Sequence, residues 1–240
     1  MKKIIVLLAL VLLGLFTGCG KEKESKVYVI GTNAEYPPFE YLENDKIVGL
    51  DPDIIEELSK RLDFKYKWSN MNFDGLISAL QTKKVDMVIA GMSISEDRMK
   101  YINFSTPYIS PAMTYIALET SPMSTLEDLE NKRFGIELGT TEEDIVKKVP
   151  GAVVVPYSGH TAALFALKSG KIDSMLLDAN VAKKYLEKNP DLKIVTTVEG
   201  ENKAMAFNKD DKELRDKIDA ELKKMMEDGT IDKLKEKHGI

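Results

Sequence analysis

The sequence predicts an α/β protein, and two observations carry that prediction. From residue 27 onward, short apolar runs alternate with amphipathic helical patterns, which is typical of sheets whose strands are joined by helices. When Asp173 is laid over Asp86, a helix, a Lys-x-Asp turn and a buried strand coincide in two copies. Two similar α/β units predict two lobes with a ligand site beyond the carboxyl ends of their strands, although an ordinary β-α-β protein can show the same pattern.

The predicted elements follow from hydrophobic periodicity and from helix start signals. After a first strand over residues 27–31, Asp51 and Pro52 form an N-cap and first-turn pair for a helix whose apolar face ends at Leu62. We expect further strands over residues 64–68, 85–90, 133–137, 153–156, 172–177 and 194–198. We expect further helices over residues 74–82, 141–149, 179–188, 212–227 and 231–237.

The N-terminal residues predict export. Lys2 and Lys3 precede an apolar run over residues 4–16, which spans about 20 Å as a helix and falls short of a hydrocarbon core of about 30 Å. A charged start, a short apolar core and small residues before Cys19 are typical of a secretory signal. The alternative is an uncleaved anchor with an incidental cysteine, and both readings place the folded part outside the cytoplasm.

Cys19 is the sole cysteine of the sequence, and its position after the apolar run resembles the bacterial lipobox. In that motif the cysteine is lipidated and becomes the mature N-terminus. Phe16 departs from the Leu, Val or Ile that is usual there. We therefore expect residues 1–19 to be a lipoprotein signal peptide and residues 20–26 to be a solvated tether.

Charge and composition argue against nucleic acid, metal and cofactor partners. The formal net charge is −5, with 34 Lys and Arg against 39 Asp and Glu, and no block of basic residues is present. This balance argues against nucleic acid as a partner. No His, Cys, Asp or Glu cluster has the spacing of metal ligands, so neither a metal nor a cofactor is expected.

Two segments that follow predicted strands could contact a ligand. In the first, residues 31–39 form a Pro-rich turn that presents Tyr36 and Phe39, either to a ligand or as lids of the core. In the second, Gly91 allows a close backbone approach and Ser93 offers a hydroxyl group. Arg98 offers a fork for a carboxylate, although an arginine at a helix start is often only a solvated charge.

Two later segments could recognise charged groups. Gly139, Thr140 and Thr141 lie between a strand and a helix, where free N–H groups form an anion site, although the acidic residues that follow also satisfy the helix dipole. Asp178 ends an apolar strand. It could pair with an ammonium group or serve as the N-cap of the next helix.

In order and spacing, several segments resemble the family 3 solute-binding proteins, which serve polar amino acid ABC transporters. The segments are GTNAEYPPFEY, VGLDPDI, FDGLISALQTKKVDMVIAGMSISEDR, INFSTPY and GIELGTT, and the likeness runs from about residue 27 to 238. The resemblance implies a type II periplasmic-binding-protein-like fold, in which two crossover hinge segments join two α/β lobes around a ligand cleft. Lobe 1 would comprise residues 27–112 and 202–240, and lobe 2 residues 113–201.

The resemblance also implies roles for individual residues. Arg98 would clamp the α-carboxylate of an amino acid, helped by the backbone N–H groups of Ser93 and Thr141. Asp178 would take the α-ammonium, with the Gly91 carbonyl and the Ser93 hydroxyl. Tyr36 and Phe73 would sandwich the ligand side chain. The complete expected ligand-binding set is Asn33, Tyr36, Phe73, Gly91, Met92, Ser93, Arg98, Glu137, Gly139, Thr140, Thr141 and Asp178.

Two of these positions bear on the choice of ligand. Asn33 stands where many relatives have an Asp that contacts a basic side chain, and Glu137 stands where glutamine binders have a lysine. A carboxylate in a desolvated pocket needs a cationic partner, so Glu137 predicts a basic ligand such as arginine, lysine, ornithine or histidine. Glutamine or another neutral polar amino acid is the alternative.

The expected function is therefore the extracytoplasmic substrate-binding component of an amino acid ABC importer. Its partners would be a free L-amino acid, the permease subunits and, through the lipid anchor, a membrane, and it would act as a monomer. One rival is an exported cyclohexadienyl-dehydratase-like enzyme, in which Glu35 or Glu137 could do acid/base work. His160, at a helix start, and His238, in the C-terminal tail, do not suggest catalysis. The other rival is an amino acid sensor module on the same fold.

Overall fold

The computed structural model describes residues 26–240, so the predicted signal peptide, Cys19 and most of the predicted tether lie outside the described residues. The strands are β1 (Val27–Thr32), β2 (Glu35–Tyr36), β3 (Glu40–Glu43), β4 (Lys46–Val48), β5 (Lys65–Asn70), β6 (Met87–Val88), β7 (Ile102–Phe104), β8 (Met113–Leu118), β9 (Arg133–Glu137), β10 (Val153–Tyr157), β11 (Ser174–Asp178), β12 (Leu192–Val198) and β13 (Ala206–Asn208). The helices are α1 (Leu50–Leu62), α2 (Leu76–Gln81), α3 (Glu96–Met99), α4 (Glu142–Val146), α5 (His160–Lys168), α6 (Ala179–Lys188), α7 (Lys212–Glu227) and α8 (Thr230–Lys237).

Two five-stranded mixed sheets form the frames of two lobes. The first has the order β5-β1-β6-β13-β7, with β1 parallel to β5 and β6 and β13 antiparallel to both of its neighbours. The second has the order β10-β9-β11-β8-β12, with β9 parallel to β10 and β11 and β8 antiparallel to both of its neighbours. The chain passes from the first sheet to the second between β7 and β8 and returns between β12 and β13. The predicted two-lobed α/β fold with two crossovers is confirmed, whereas the exact lobe boundaries stay a prediction.

Helix α1 begins differently from the sequence prediction. Its N-cap is Gly49, whose φ of 131° is open to glycine, and Asp51 lies inside the first turn. Asp51 is fully buried, and its Oδ2 accepts hydrogen bonds from the Gly91 N–H at 2.9 Å and from the Tyr108 hydroxyl at 3.0 Å. The predicted capping role of Asp51 is therefore wrong, and its carboxylate instead holds the loop after β6 against α1.

The C-terminal helices complete the first lobe. Ile218, Leu222 and Met225 of α7 and Ile231 of α8 are buried in the hydrophobic cluster that also contains the apolar face of α1. These residues recur at helical spacing, which is why the sequence pattern predicted both helices closely. The last two helices thus return the chain to the lobe in which it began.

Candidate functional site

A narrow cavity of about 30 Å³ lies between the two lobes. It is bordered by the loops that follow β1, β6 and β9, as expected for a site beyond the carboxyl ends of strands. The residues that line it are Asn33, Tyr36, Glu40, Phe73, Ala90, Gly91, Ser93, Arg98, Met113, Glu137, Thr140, Thr141, Glu142, His160 and Lys203.

Three residues of the predicted binding set do not line this cavity. Met92 is fully buried in the hydrophobic cluster around Leu76 and Ile102, so its side chain belongs to the core of lobe 1. Gly139 takes part through its backbone carbonyl, which accepts a hydrogen bond from Arg98. Asp178 is fully buried beside the cavity, where other side chains of the protein contact it.

The guanidinium of Arg98 connects the two lobes. The Ser95 hydroxyl caps the short helix α3 and accepts the Arg98 backbone N–H at 3.2 Å, which orients the arginine. Nη1 donates to the Ser93 carbonyl at 2.7 Å, and Nη2 donates to the Gly139 carbonyl at 2.8 Å. The group also lies over the Phe73 ring, 5.3 Å from its centroid. Both hydrogen-bond partners are neutral carbonyl groups, so the arrangement suits an added anion.

Burial governs the charge of Arg98. The residue is 7% exposed, and desolvation lowers its pKa to about 10, although nearby carboxylates including that of Glu201 oppose the shift. The guanidinium therefore stays protonated at neutral pH. No carboxylate among residues 26–240 forms an ion pair with it. A buried cation without an anionic partner is costly, and a bound carboxylate would relieve that cost.

Asp178 ends β11 and precedes α6, and its side chain makes no capping hydrogen bond. Its Oδ2 accepts the Tyr36 hydroxyl at 3.0 Å and lies 2.9 Å from Nζ of Lys203. Its backbone N–H also donates to the Tyr36 hydroxyl oxygen at 3.1 Å. Burial raises the pKa of Asp178, and the Lys203 ammonium opposes that rise. Asp178 thus occupies the predicted N-cap position of α6, but its carboxylate does not cap the helix and faces the opposite lobe instead.

His160 is a site residue that the sequence analysis did not identify. It is the first residue of α5, it is buried, and its ring stacks on Tyr36 with centroids 4.9 Å apart. Nε2 lies 2.8 Å from Oε1 of Glu142 in hydrogen-bonding geometry. Nδ1 lies 2.8 Å from Oε2 of Glu137 as an ion pair without hydrogen-bond alignment. Glu137 thus already has a cationic neighbour within the protein.

The protonation of His160 follows from these two carboxylates. Burial alone would lower the pKa of the imidazole, but Glu142 and Glu137 outweigh burial and raise the pKa to about 10. The ring is therefore an imidazolium at neutral pH. Burial raises the pKa of Glu137, which His160 opposes. One oxygen of Glu137, Oε1, is buried without a hydrogen-bond partner among the described residues.

A second buried carboxyl pair lies on the lobe 1 side of the cavity. Burial, together with the neighbouring Asp51, holds the pKa of Glu40 well above its usual range. Burial also raises the pKa of Asp51 to about 6, against the opposing hydrogen bonds from Gly91 and Tyr108. Both shifts favour the protonated form of this carboxyl pair on the lobe 1 side of the cavity.

Two further features concern metals and membranes. Among residues 26–240, no group of three or more His, Cys, Asp or Glu side chains is placed to hold a metal ion. In the same part of the chain, no helix is long and apolar enough to cross a membrane.

A polar cavity between two mixed α/β lobes defines the class of two-lobed solute-binding proteins. Within that class, the chain belongs to the bacterial extracellular solute-binding proteins, family 3, whose sequence profile matches residues 28–239. This membership confirms the predicted family and places the folded part of the chain outside the cytoplasm.

Sequence and structure comparisons agree on this family. The chain is 34% identical over 215 residues to the "Probable histidine-binding protein" of Campylobacter jejuni, with 88% of this chain and 84% of the relative covered. It is 32% identical over 250 aligned positions to the arginine-binding extracellular protein ArtP of Bacillus subtilis, with 99% and 98% covered. The structure matches an ancestral arginine-binding protein bound to arginine with a TM-score of 0.83 and 40% identity, over 88% of this chain and 97% of that one. An ancestral arginine-binding protein bound to glutamine matches with a TM-score of 0.83 and 39% identity, over the same shares.

Proposed function

We propose that this chain captures a basic L-amino acid between its lobes and delivers it to the permease subunits of an ABC importer. The observation that carries the proposal is the buried guanidinium of Arg98, which lines the cavity with neutral carbonyl groups as its hydrogen-bond partners. A guanidinium fork matches the two oxygens of a carboxylate in geometry and charge. Two of the relatives named above bind histidine or arginine according to their names, which supports the same class of ligand. The ancestral arginine-binding protein that matches in its glutamine-bound form supports glutamine as the alternative.

The remaining polar groups of the cavity could bind the α-ammonium of an amino acid whose carboxylate binds Arg98. Ser93 and Thr141 face one another from different lobes, with their hydroxyl oxygens 3.2 Å apart. Asp178 lies at the far side of Ser93 and keeps one carboxylate oxygen, Oδ1, without a hydrogen-bond partner among the described residues. In this proposal the ligand carboxylate binds Arg98, and its α-ammonium binds near Ser93 and Asp178.

The side chain of the ligand would extend toward Tyr36 and Glu137. Glu137, His160 and Glu142 together carry two carboxylates and one imidazolium, so this group retains a net charge of −1 when both carboxylates are ionised. The free Oε1 of Glu137 supplies an acceptor for a guanidinium or ammonium group. The internal imidazolium therefore weakens, but does not remove, the preference for a cationic side chain that Glu137 provides.

We also propose that the chain is a binding protein and not a dehydratase. A general acid or base works best with a pKa near the working pH, whereas the pKa of His160 is about 10 and the imidazolium is held between two carboxylates. The ring is therefore better suited to hold a fixed positive charge than to transfer a proton. Turnover of prephenate or arogenate by the purified protein would contradict this assignment, and a signalling partner without adjacent importer subunits would favour the sensor alternative.

We further propose that Cys19 is lipidated and anchors the mature protein, as a monomer, to a membrane. The apolar run ends just before Cys19, and the KEKESK segment that follows is suited to a solvated tether. A single acyl chain binds a membrane only marginally, whereas two or more hold it stably. Mass spectrometry of the native N-terminus tests the proposal, and an unmodified Cys19 within a longer chain would contradict it.

A ligand screen followed by competition calorimetry tests the proposed ligand class. Arginine, lysine or histidine should bind more tightly than glutamine. Glu137→Gln should reduce this difference in affinity between basic amino acids and glutamine, because it removes one negative charge from the end of the cavity that holds the ligand side chain. If glutamine or cystine binds at least tenfold more tightly than every basic amino acid, a difference of about 1.4 kcal/mol, the basic preference is wrong.

A further inference from the structure

Lys203 places a buried ammonium group of the protein's own inside the proposed ligand site. The residue is 4% exposed and lies in the return crossover, shortly before β13. Its backbone is fixed on both sides, because its N–H donates to the Ile109 carbonyl at 2.8 Å and its carbonyl accepts the Tyr108 N–H at 3.0 Å. The side chain therefore starts from a firmly held position and reaches into the cavity between the lobes.

The partners of this ammonium are the groups that the proposed function assigns to the ligand. Nζ of Lys203 donates to Oγ of Ser93 at 2.9 Å and lies 2.9 Å from Oδ2 of Asp178. Oδ2 of Asp178 also accepts the Tyr36 hydroxyl, and the Ser93 hydroxyl has Thr141 as a further neighbour. The acceptors around Nζ are thus already engaged. A second ammonium must either displace Nζ or bind Oδ1 of Asp178, close to a like charge.

We propose that Lys203 is a specificity-determining residue of the ligand site, a tethered ammonium that competes with the α-ammonium of the ligand for Asp178 and Ser93. This inference rests on the proposed function, because it takes Asp178 as the ammonium subsite. Competition makes the α-ammonium contribute less to affinity than the same group would against an unpaired Asp178. The difference in affinity between ligands then depends more on how the carboxylate binds Arg98 and how the side chain binds near Glu137.

Two simpler roles for Lys203 predict different behaviour. If Lys203 only neutralises Asp178 for stability, its removal would change the free energy of unfolding but would not discriminate between ligands with and without an α-ammonium. If Lys203 contacts the ligand carboxylate, its removal would weaken binding of both kinds of ligand. Only competition predicts that removal of the Lys203 ammonium raises affinity, and that it does so only for ligands that carry the α-ammonium.

The experiment compares L-arginine with 5-guanidinopentanoate, which is arginine without its α-amino group. Calorimetry would give the ratio of the Kd of the analogue to the Kd of arginine for the wild type and for Lys203→Met. We expect this ratio to rise at least tenfold in Lys203→Met, because Asp178 and Ser93 become available to the α-ammonium. An unchanged or smaller ratio would overturn the inference.

Three further variants separate this effect from a folding defect. Lys203→Gln keeps hydrogen-bond donors for Ser93 and Asp178 without the positive charge, and it should raise the same ratio if Lys203→Met does not fold. In the Lys203→Met, Asp178→Asn double variant the rise in this ratio should disappear, because the anion for which the two ammonium groups compete is gone. Lys209→Met removes an exposed lysine six positions away in the sequence and should leave the ratio unchanged.

The outcomes also distinguish this inference from the proposed function. If neither the wild type nor Lys203→Met shows a thermal shift with any of the common amino acids, both are wrong. If the wild type binds an amino acid and the ratio does not rise, only the role of Lys203 is wrong. Should glutamine bind best, the same comparison is made between L-glutamine and 5-amino-5-oxopentanoate, its analogue without the α-amino group.

Discussion

Arg98, His160 and Lys203 are three buried cations around one cavity, and each has a different kind of partner. Arg98 contacts carbonyl groups, His160 lies between the carboxylates of Glu137 and Glu142, and Lys203 pairs with a carboxylate of the opposite lobe. Two of the cations are therefore neutralised by the protein. Arg98 is the one of the three that lacks a described anionic partner, which is why the carboxylate of a ligand is best placed against it.

Removal of the Arg98 guanidinium should abolish measurable binding. A buried ion pair that loses one partner leaves an uncompensated charge, at a cost of about 3–5 kcal/mol, so the Kd for the amino acid should rise more than a hundredfold in Arg98→Ala. Calorimetry with the preferred ligand measures the change. Arg98→Lys keeps the charge without the fork and should retain part of the affinity. Wild-type affinity in a folded Arg98→Ala protein would show that the carboxylate binds elsewhere.

The imidazolium of His160 should make the stability of the protein depend on pH above the neutral range. Its pKa in the folded protein is raised from 6.5 to about 10, so its contribution is fully present below pH 6.5 and is lost as the pH rises through 10. The groups that face the ring are Glu137, Glu142 and Tyr36. Between pH 6.5 and 10, the wild type should lose unfolding free energy relative to His160→Gln, as measured by urea unfolding. A constant difference over that range would contradict the charged state of His160.

At the scale of single elements, patterns contained within one segment were predicted well. Helix α7 matches its predicted range of 212–227, because its buried residues repeat at helical spacing and its cap signal is local. The predicted strand over residues 85–90 is buried except at Asp86, but only Met87–Val88 pairs in the sheet. Strands β8 and β13 were not predicted, because β8 is buried along almost its whole length and β13 has three residues, so neither shows an alternating pattern.

The distinction between local patterns and contacts distant in the sequence also explains which site residues were predicted. Gly91, Ser93 and Arg98 follow one strand and share a local signal for contact with a carboxylate. Lys203 and His160 carry no such signal, because their partners lie 110 residues away at Ser93 and 18 residues away at Glu142. The sequence therefore predicted which loops form the cavity, but not which charges of the protein already neutralise one another inside it.

The loop after β9 approaches the opposite lobe closely at a glycine. Gly139 has a φ of 82°, and an added Cβ would lie 2.9 Å from Cα of Asp74 in the opposite lobe. Gly139→Ala should therefore weaken ligand affinity in addition to the strain of about 1–2 kcal/mol that a non-glycine residue bears in this conformation. Gly170→Ala is a matched control, because Gly170 has a φ of 72° and no heavy atom lies within 4 Å of an added Cβ.

Calorimetry and thermal unfolding together separate the two effects. Both glycine variants should lose a similar amount of stability, whereas only Gly139→Ala should lose affinity. Equal affinities for the two variants would show that the approach of Gly139 to Asp74 does not limit closure.

At the scale of the whole molecule, the contacts between the lobes use the same polar groups that we propose to bind the ligand. Tyr36 contacts Asp178, Arg98 contacts Gly139, and Lys203 contacts Asp178, each across the two lobes. A ligand that bridges Arg98 and Asp178 adds further contacts between the same surfaces. Ligands that bind the closed state better than the open one shift the population toward closure, so the bound amino acid should act as an additional link between the lobes.

Such a link should stabilise the folded protein in a way that depends on the stereochemistry of the ligand. At 100 times Kd, a ligand specific for the folded state adds about 2.7 kcal/mol, which raises Tm by roughly 5–11 °C for a protein of this size. The proposed site fixes three groups of an L-amino acid: the carboxylate at Arg98, the ammonium near Asp178 and the side chain near Glu137. When a D-amino acid binds with two of these groups in their proposed positions, its third group points away from its partner. D-arginine at the same concentration should therefore raise Tm much less than L-arginine. Thermal unfolding with both enantiomers measures the difference, and equal increases in Tm would mean that the lobes recognise only two of the three groups.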